Sequence, residues 1–78
     1  MIKIDGSGKA YISLSKSFYR LESVKKAAED FKDIGIFKVK EGRTIDITIN
    51  PNESSESLTV AYEFCNYVLA LMKNEAIV

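Results

Sequence analysis

Apolar positions alternate with polar ones at the start of the chain: Ile2 and Ile4, then Ala10, Ile12 and Leu14, on either side of Gly6-Ser7-Gly8. This period of two predicts a pair of short strands joined by a tight turn, with 1–9 as a strand and turn prone to fray. From Ser17 the period lengthens. Leu21, Val24, Ala28 and Phe31 recur at intervals of three and four while Lys25, Lys26, Glu29 and Lys32 fall elsewhere, which predicts an amphipathic helix. Gly35 stands just past the last apolar turn, where a helix end often needs positive φ, so the helix is expected to stop by Asp33 or Ile34.

Ile36–Lys40 and Thr44–Asn50 read as a hairpin whose register follows from parity. Ile45, Ile47 and Ile49 share one face of the second strand. For Phe37 and Val39 to join that face as opposed pairs, paired residue numbers must sum to an even value. Placing Val39 opposite Ile45 and Phe37 opposite Ile47 centres the turn on Glu41-Gly42-Arg43 and sets Lys38 against Asp46. Asn50-Pro51 then ends the strand, because proline has no N–H to give the ladder.

Asn52–Ser57 is a polar connector. Ser54, Ser55 and Ser57 suit loop and cap positions, and Glu53 and Glu56 suit a helix N-terminus. A long helix from Leu58 to about Asn74 follows, with 75–78 as a tail. On a wheel of 100° steps its polar side is narrow, with Thr59, Glu63, Asn66, Ala70 and Lys73 inside roughly 80°. One flank carries Leu58, Tyr62, Cys65 and Leu69, the other Val60, Phe64, Tyr67 and Leu71, and Ala61, Val68 and Met72 lie between. An apolar arc of roughly 220° is about twice what a helix on a single core usually shows. Either the first helix packs on one flank while the sheet covers the middle, or the flank of Val60, Phe64, Tyr67 and Leu71, with Asn66 at its edge to orient a partner, binds a second copy or another protein.

The composition fits one domain, residues 1–78, with 46% hydrophobic and 28% charged residues. A chain this short buries only about 60% of its unfolded surface, so stability rests on good packing or association. One Cys and no His leave neither an internal disulfide nor a zinc site, and no cofactor is expected. The opening Met1-Ile2-Lys3-Ile4-Asp5-Gly6 lacks the basic stretch and apolar core of a signal peptide, and no apolar run reaches membrane-spanning length. A cytoplasmic protein without a membrane partner is expected.

The charge balance of 11 basic against 11 acidic residues hides a gradient. Residues 1–43 hold 10 basic and 6 acidic side chains, and residues 44–78 hold 1 and 5. Lys25, Lys26, Lys32, Lys38 and Lys40 form a candidate polyanion-binding set, but no aromatic-interleaved motif accompanies them and the total charge is zero, which argues against nucleic acid.

Motifs for catalysis are weak. Gly6-Ser7-Gly8-Lys9 lacks the glycine a phosphate loop needs at position 3, where Lys3 stands, and Ala10 replaces the magnesium-binding hydroxyl. Cys65 has neither a histidine base nor charged helix neighbours at Ala61 and Leu69, so it reads as a small packed apolar residue. Glu29, Asp30 and Asp33 read as solvated carboxylates. The chain is therefore expected not to be an enzyme.

Three segments together resemble a known family: Ser17-Phe18-Tyr19-Arg20-Leu21-Glu22-Ser23-Val24-Lys25-Lys26-Ala27-Ala28-Glu29-Asp30-Phe31, then Ile45-Asp46-Ile47-Thr48-Ile49, then Glu63-Phe64-Cys65-Asn66. Their order is similar to that of the HxsD-like family, small accessory proteins of His-Xaa-Ser peptide-modification systems. The likeness spans about Leu14 to Lys73 and departs from the family at Tyr67 and Ala70, where acidic residues are expected. It implies an accessory role beside radical-SAM enzymes that mature a ribosomally made peptide.

The combined expectation is an α+β domain in (β)βαββα order, an antiparallel sheet of three or four strands with two helices on one face. Its function is expected to be that of a non-enzymatic adaptor for a protein or peptide, bound through the last helix or a sheet edge. A homodimer of structural role and a nucleic-acid-binding module are the alternatives.

Overall fold

The computed structural model describes residues 2–53 and 56–77, the side chains of 75–77 excepted; Ser54 and Ser55 of the expected connector lie outside the described residues. The elements are β1 (Ile2–Ile4), β2 (Ala10–Ser15), α1 (Leu21–Asp30), β3 (Gly35–Glu41), β4 (Thr44–Pro51) and α2 (Ser57–Ile77). The strands form one antiparallel sheet in the order β1-β2-β4-β3, so β1 and β3 are the edges. The α+β class and the order of elements are those the patterning predicts, with β1 as the fourth strand.

The period-two alternation decides which face is buried. Ala10, Ile12 and Leu14 pair with Ile49, Ile47 and Ile45, and all six are buried. The same cluster takes in Val24 and Ala27 from α1 and Val60, Ala61, Phe64 and Val68 from α2, which places both helices over one face of the sheet. Phe31 and Phe37, both half-buried, pack against this cluster on the fully buried Phe64: Phe31 lies edge-on to Phe37 (5.7 Å between ring centres) and to Phe64 (5.6 Å), while Phe37 stacks on Phe64 at 5.2 Å.

The β3–β4 hairpin keeps the expected parity but slides by two residues. Val39 lies opposite Ile47, Phe37 opposite Ile49, Lys40 rather than Lys38 opposite Asp46, and Lys38 opposite Thr48. Hydrophobic pattern fixes which face a residue takes, and a shift of two preserves every face. The turn geometry decides between the two registers. Gly42 N–H donates to the Thr44 carbonyl at 2.9 Å, centring the turn on Arg43.

Three other boundaries differ from expectation. Residues 17–20 do not continue α1 backwards, because Phe18 and Tyr19 N–H groups both close a turn on the Ser15 carbonyl. Gly35 has no positive φ and belongs to β3; of the described residues only Gly8, at φ 90°, lies in the left-handed region. Gly35 is needed for close approach instead, since a Cβ there would sit 2.7 Å from both the Asn50 carbonyl oxygen and the Pro51 Cα. α2 runs on to Ile77, absorbing most of the expected tail.

Candidate docking surfaces

The structure separates the five partner-binding candidates of α2. Phe64 is fully buried and Val60 is 5% exposed, both inside the chain's own core; Tyr67 and Leu71 are half-buried, and Asn66 is exposed. The reason is α1. Phe31 packs on Phe64 and lies 5.2 Å from the Tyr67 ring, and the Tyr67 hydroxyl donates to the Asp30 carboxylate at 2.6 Å. The flank of Val60, Phe64, Tyr67 and Leu71 is thus the one the first helix covers, and it is not the free surface that the excess apolar arc implied.

The free surface is the opposite flank. Leu58, Tyr62 and Leu69 are 50%, 57% and 44% exposed, and they fall within roughly 40° of one another on the helix wheel. Cys65, the fourth residue of that flank, is half-buried, and burial pushes its thiol up from the ordinary value. α2 touches β2 and β4 and also the three-residue edge strand β1. Ser57, buried at the start of α2, donates its hydroxyl to the Gly8 carbonyl and fixes the helix against the β1–β2 turn.

A second surface lies at the other edge. α1 packs over β3, and between them runs a groove of about 480 Å³ lined by Lys25, Ala28, Glu29, Lys32 and the β3 residues Gly35–Phe37 and Val39. Of the lysine set, only Lys25 and Lys32 line this groove. Lys38 and Lys40 project from the sheet face away from the helices, and Lys26 is on α1, 3.8 Å from Asp30. The set is therefore divided between two faces of one sheet edge, with carboxylates among its members.

The ladder fixes which backbone groups face outward from β3. Asn52 N–H bonds the Ile34 carbonyl at one end of the hairpin and Gly42 N–H bonds the Thr44 carbonyl at the other, both at 2.9 Å. Hydrogen-bonded pairs alternate along an antiparallel ladder, so between these ends they fall on Ile36, Lys38 and Lys40. The N–H and C=O groups of Gly35, Phe37, Val39 and Glu41 point away from β4, toward the free edge. Sequence patterning names the β3 side chains but gives no sign that they sit at an edge, since edge position depends on the order of pairing.

The remaining candidates are filled or inert. In Gly6-Ser7-Gly8-Lys9 the amides that would cradle a phosphate already bind Asp5, whose Oδ1 accepts from Ser7 N–H (2.9 Å), Ser7 Oγ (2.7 Å) and Lys9 N–H (3.0 Å). These bonds, with one from the Tyr11 hydroxyl at 3.0 Å, hold the Asp5 carboxyl down at about 2. Glu29 is engaged by Lys32 at 3.1 Å. Among the described residues no cluster of three metal-ligating side chains occurs, and no described helix is long and apolar enough to cross a membrane. In comparisons with known proteins, no family model, no curated protein and no solved structure matches the chain.

Proposed function

We propose that this chain is a non-enzymatic accessory or adaptor protein of the cytoplasm that docks on a protein partner through Leu58, Tyr62 and Leu69 of α2. The observation that carries this reading is the exposed apolar flank itself. Three large side chains stand together in water on one flank of the helix, and no described element covers them. Tyrosine and leucine in such a stripe suit an interface, where the ring adds apolar area and its hydroxyl tolerates the wet rim. The resemblance to HxsD-like proteins supplies a partner class for this reading, a radical-SAM peptide-maturation enzyme or its substrate.

A homodimer is the second reading, favoured by the position of the flank on the side of the fold that carries the short edge strand β1. Both readings are tested with Tyr62→Glu combined with Leu69→Glu. Light scattering over a concentration series reads self-association, and co-purification with a co-expressed radical-SAM enzyme reads the adaptor role. Loss of either association in the variant, with unchanged circular dichroism, supports the corresponding reading. A wild-type monomer that binds no such enzyme overturns both.

A further inference from the structure

The β3 edge has features that the α2 flank lacks. It offers outward backbone donors and acceptors on Phe37, Val39 and Glu41 that have no backbone partner among the described residues, on a strand of seven residues rather than the three of β1. The half-buried side chains of Phe37 and Val39 give the adjoining groove an apolar floor, and Ala28 of α1 gives it a low wall. A strand laid along β3 would stand about 4.8 Å out and send alternate side chains into that groove. This is the geometry by which sheet edges capture extended peptides.

The charges around the edge choose the peptide. Three of the bordering carboxylates already have a partner: Glu29 is held by Lys32, Glu41 by Lys16 at 2.9 Å, and Asp46 accepts the Thr44 hydroxyl at 2.7 Å and faces Lys40 across the ladder. Lys38 enters no ion pair among the described residues, whereas the charge of Lys25 already acts on the Glu41 carboxylate and helps to lower its pKa, after the stronger effect of Lys16. Lys25 and Lys38 stand on opposite faces of the edge, Lys25 above the groove and Lys38 on the open face beside Lys40. A carboxylate brought in on the open face therefore meets a lysine not already paired.

We propose that β3 and α1 bind an extended acidic peptide as a fifth strand, with its apolar residues alternating into the groove over Phe37, Val39 and Ala28 and its carboxylates facing Lys38 and Lys40 on the open face. Because successive strand residues point to opposite faces, the pattern that fits is acidic and apolar in strict alternation. Nucleic acid fits worse. The lysines are interleaved with carboxylates, and the groove's aromatic ring, Phe37, is half-buried and stacked on Phe64 where bases would need an exposed platform. The site is on the other edge of the sheet from the α2 flank and does not depend on the adaptor reading.

The test uses a fluorescein-labelled peptide of alternating glutamate and valine, a lysine-valine counterpart, and a single-stranded oligothymidylate, each titrated against the full chain at low salt. The glutamate peptide is expected to bind at least about 10-fold more tightly than the lysine peptide, and Lys38→Glu with Lys40→Glu to weaken it by a similar factor. Val39→Pro removes one outward N–H without breaking a bond to β4, so it is expected to abolish binding while the hairpin stays formed. In the wild type, peptide should slow amide exchange at Phe37, Val39 and Glu41, whereas Lys38 and Lys40 are already protected by the ladder; this readout stands even if the proline variant does not fold. Tyr62→Glu with Leu69→Glu should leave peptide affinity unchanged. Equal binding of both peptides, protection confined to α2, tighter binding of the oligonucleotide through the same lysines, or no saturable binding would each overturn the proposal.

Discussion

The Tyr67 hydroxyl donates a 2.6 Å hydrogen bond to the carboxylate of Asp30, joining the middle of α2 to the last residue of α1. That bond holds the two helices together at the same place where Phe31 wedges between Phe64 and Tyr67. It also raises the tyrosine pKa above its ordinary 10.0, because ionisation would set a phenolate against a carboxylate. A raised folded-state value means that the contribution to stability is complete below pH 10 and fades as pH climbs through the raised value. Thermal melts from pH 7 to 11 should show Tyr67→Phe melting a few degrees lower than wild type at pH 7, with the gap closing at the alkaline end. A constant gap over that range would count against the bond.

The two flanks of α2 should respond oppositely to substitution. Phe64 is fully buried against two other rings, so Phe64→Ala is expected to cost about 3–5 kcal/mol, enough to unfold much of a domain this small. Tyr62→Glu and Leu69→Glu alter exposed positions and should each stay within about 0.5 kcal/mol. Urea denaturation of the three variants measures this contrast, and comparable losses at Phe64 and Tyr62 would mean that the helix is rotated from the arrangement described.

That contrast marks where sequence reasoning succeeds and where it stops. Alternation along Ala10–Leu14 and Ile45–Ile49 fixes the buried face of each strand, because a slip by one residue would turn the apolar set to water. The arc on α2 likewise reveals more apolar surface than one sheet can cover. Which flank is left over depends on the side from which α1 approaches, a property of topology that the helix's own residues do not encode. The hairpin register shows the same limit: parity follows from Phe37 and Val39, but the shift by two is set by the turn around Arg43. The lysines were visible as a set, yet only strand order places Lys25 and Lys38 on either side of an open edge.

Gly35 should tolerate no side chain. Its position opposite Pro51 leaves a Cβ only 2.7 Å from two backbone atoms, and backbone cannot swing aside as a long side chain can. Gly35→Ala is expected to lose about 1–3 kcal/mol through forced separation of the strand ends, even though alanine usually favours folding over glycine in the unfolded chain. Amide exchange would localise the effect: faster exchange at Asn52, whose N–H bonds the Ile34 carbonyl, and little change near Arg43. A variant as stable as wild type would show that this end of the hairpin can open without penalty.

Asp5 organises the β1–β2 turn as an acceptor for two backbone amides and two hydroxyls. The Ser7 side-chain bond is the largest influence drawing its pKa from 3.8 to about 2, followed by the Lys9 amide. For a carboxyl lowered on folding, the contribution to stability is present above the unfolded value near 3.8 and is lost as pH falls through about 2. The β1 strand is short and at an edge, so it depends on this turn more than the rest of the sheet does. Asp5→Ala should therefore speed amide exchange in Ile2–Ile4 and at Ser7 and Lys9 at neutral pH, while β3 and β4 keep their protection. In the wild type, carboxyl carbon shifts followed by NMR from pH 6 to 1.5 should place the Asp5 midpoint near 2, with β1 amide protection relative to the unstructured chain falling as pH drops through that midpoint. A midpoint close to 3.8 would show that the carboxylate does not hold the turn in solution, and β1 would then have to be anchored through its ladder with β2 and its contacts with α2.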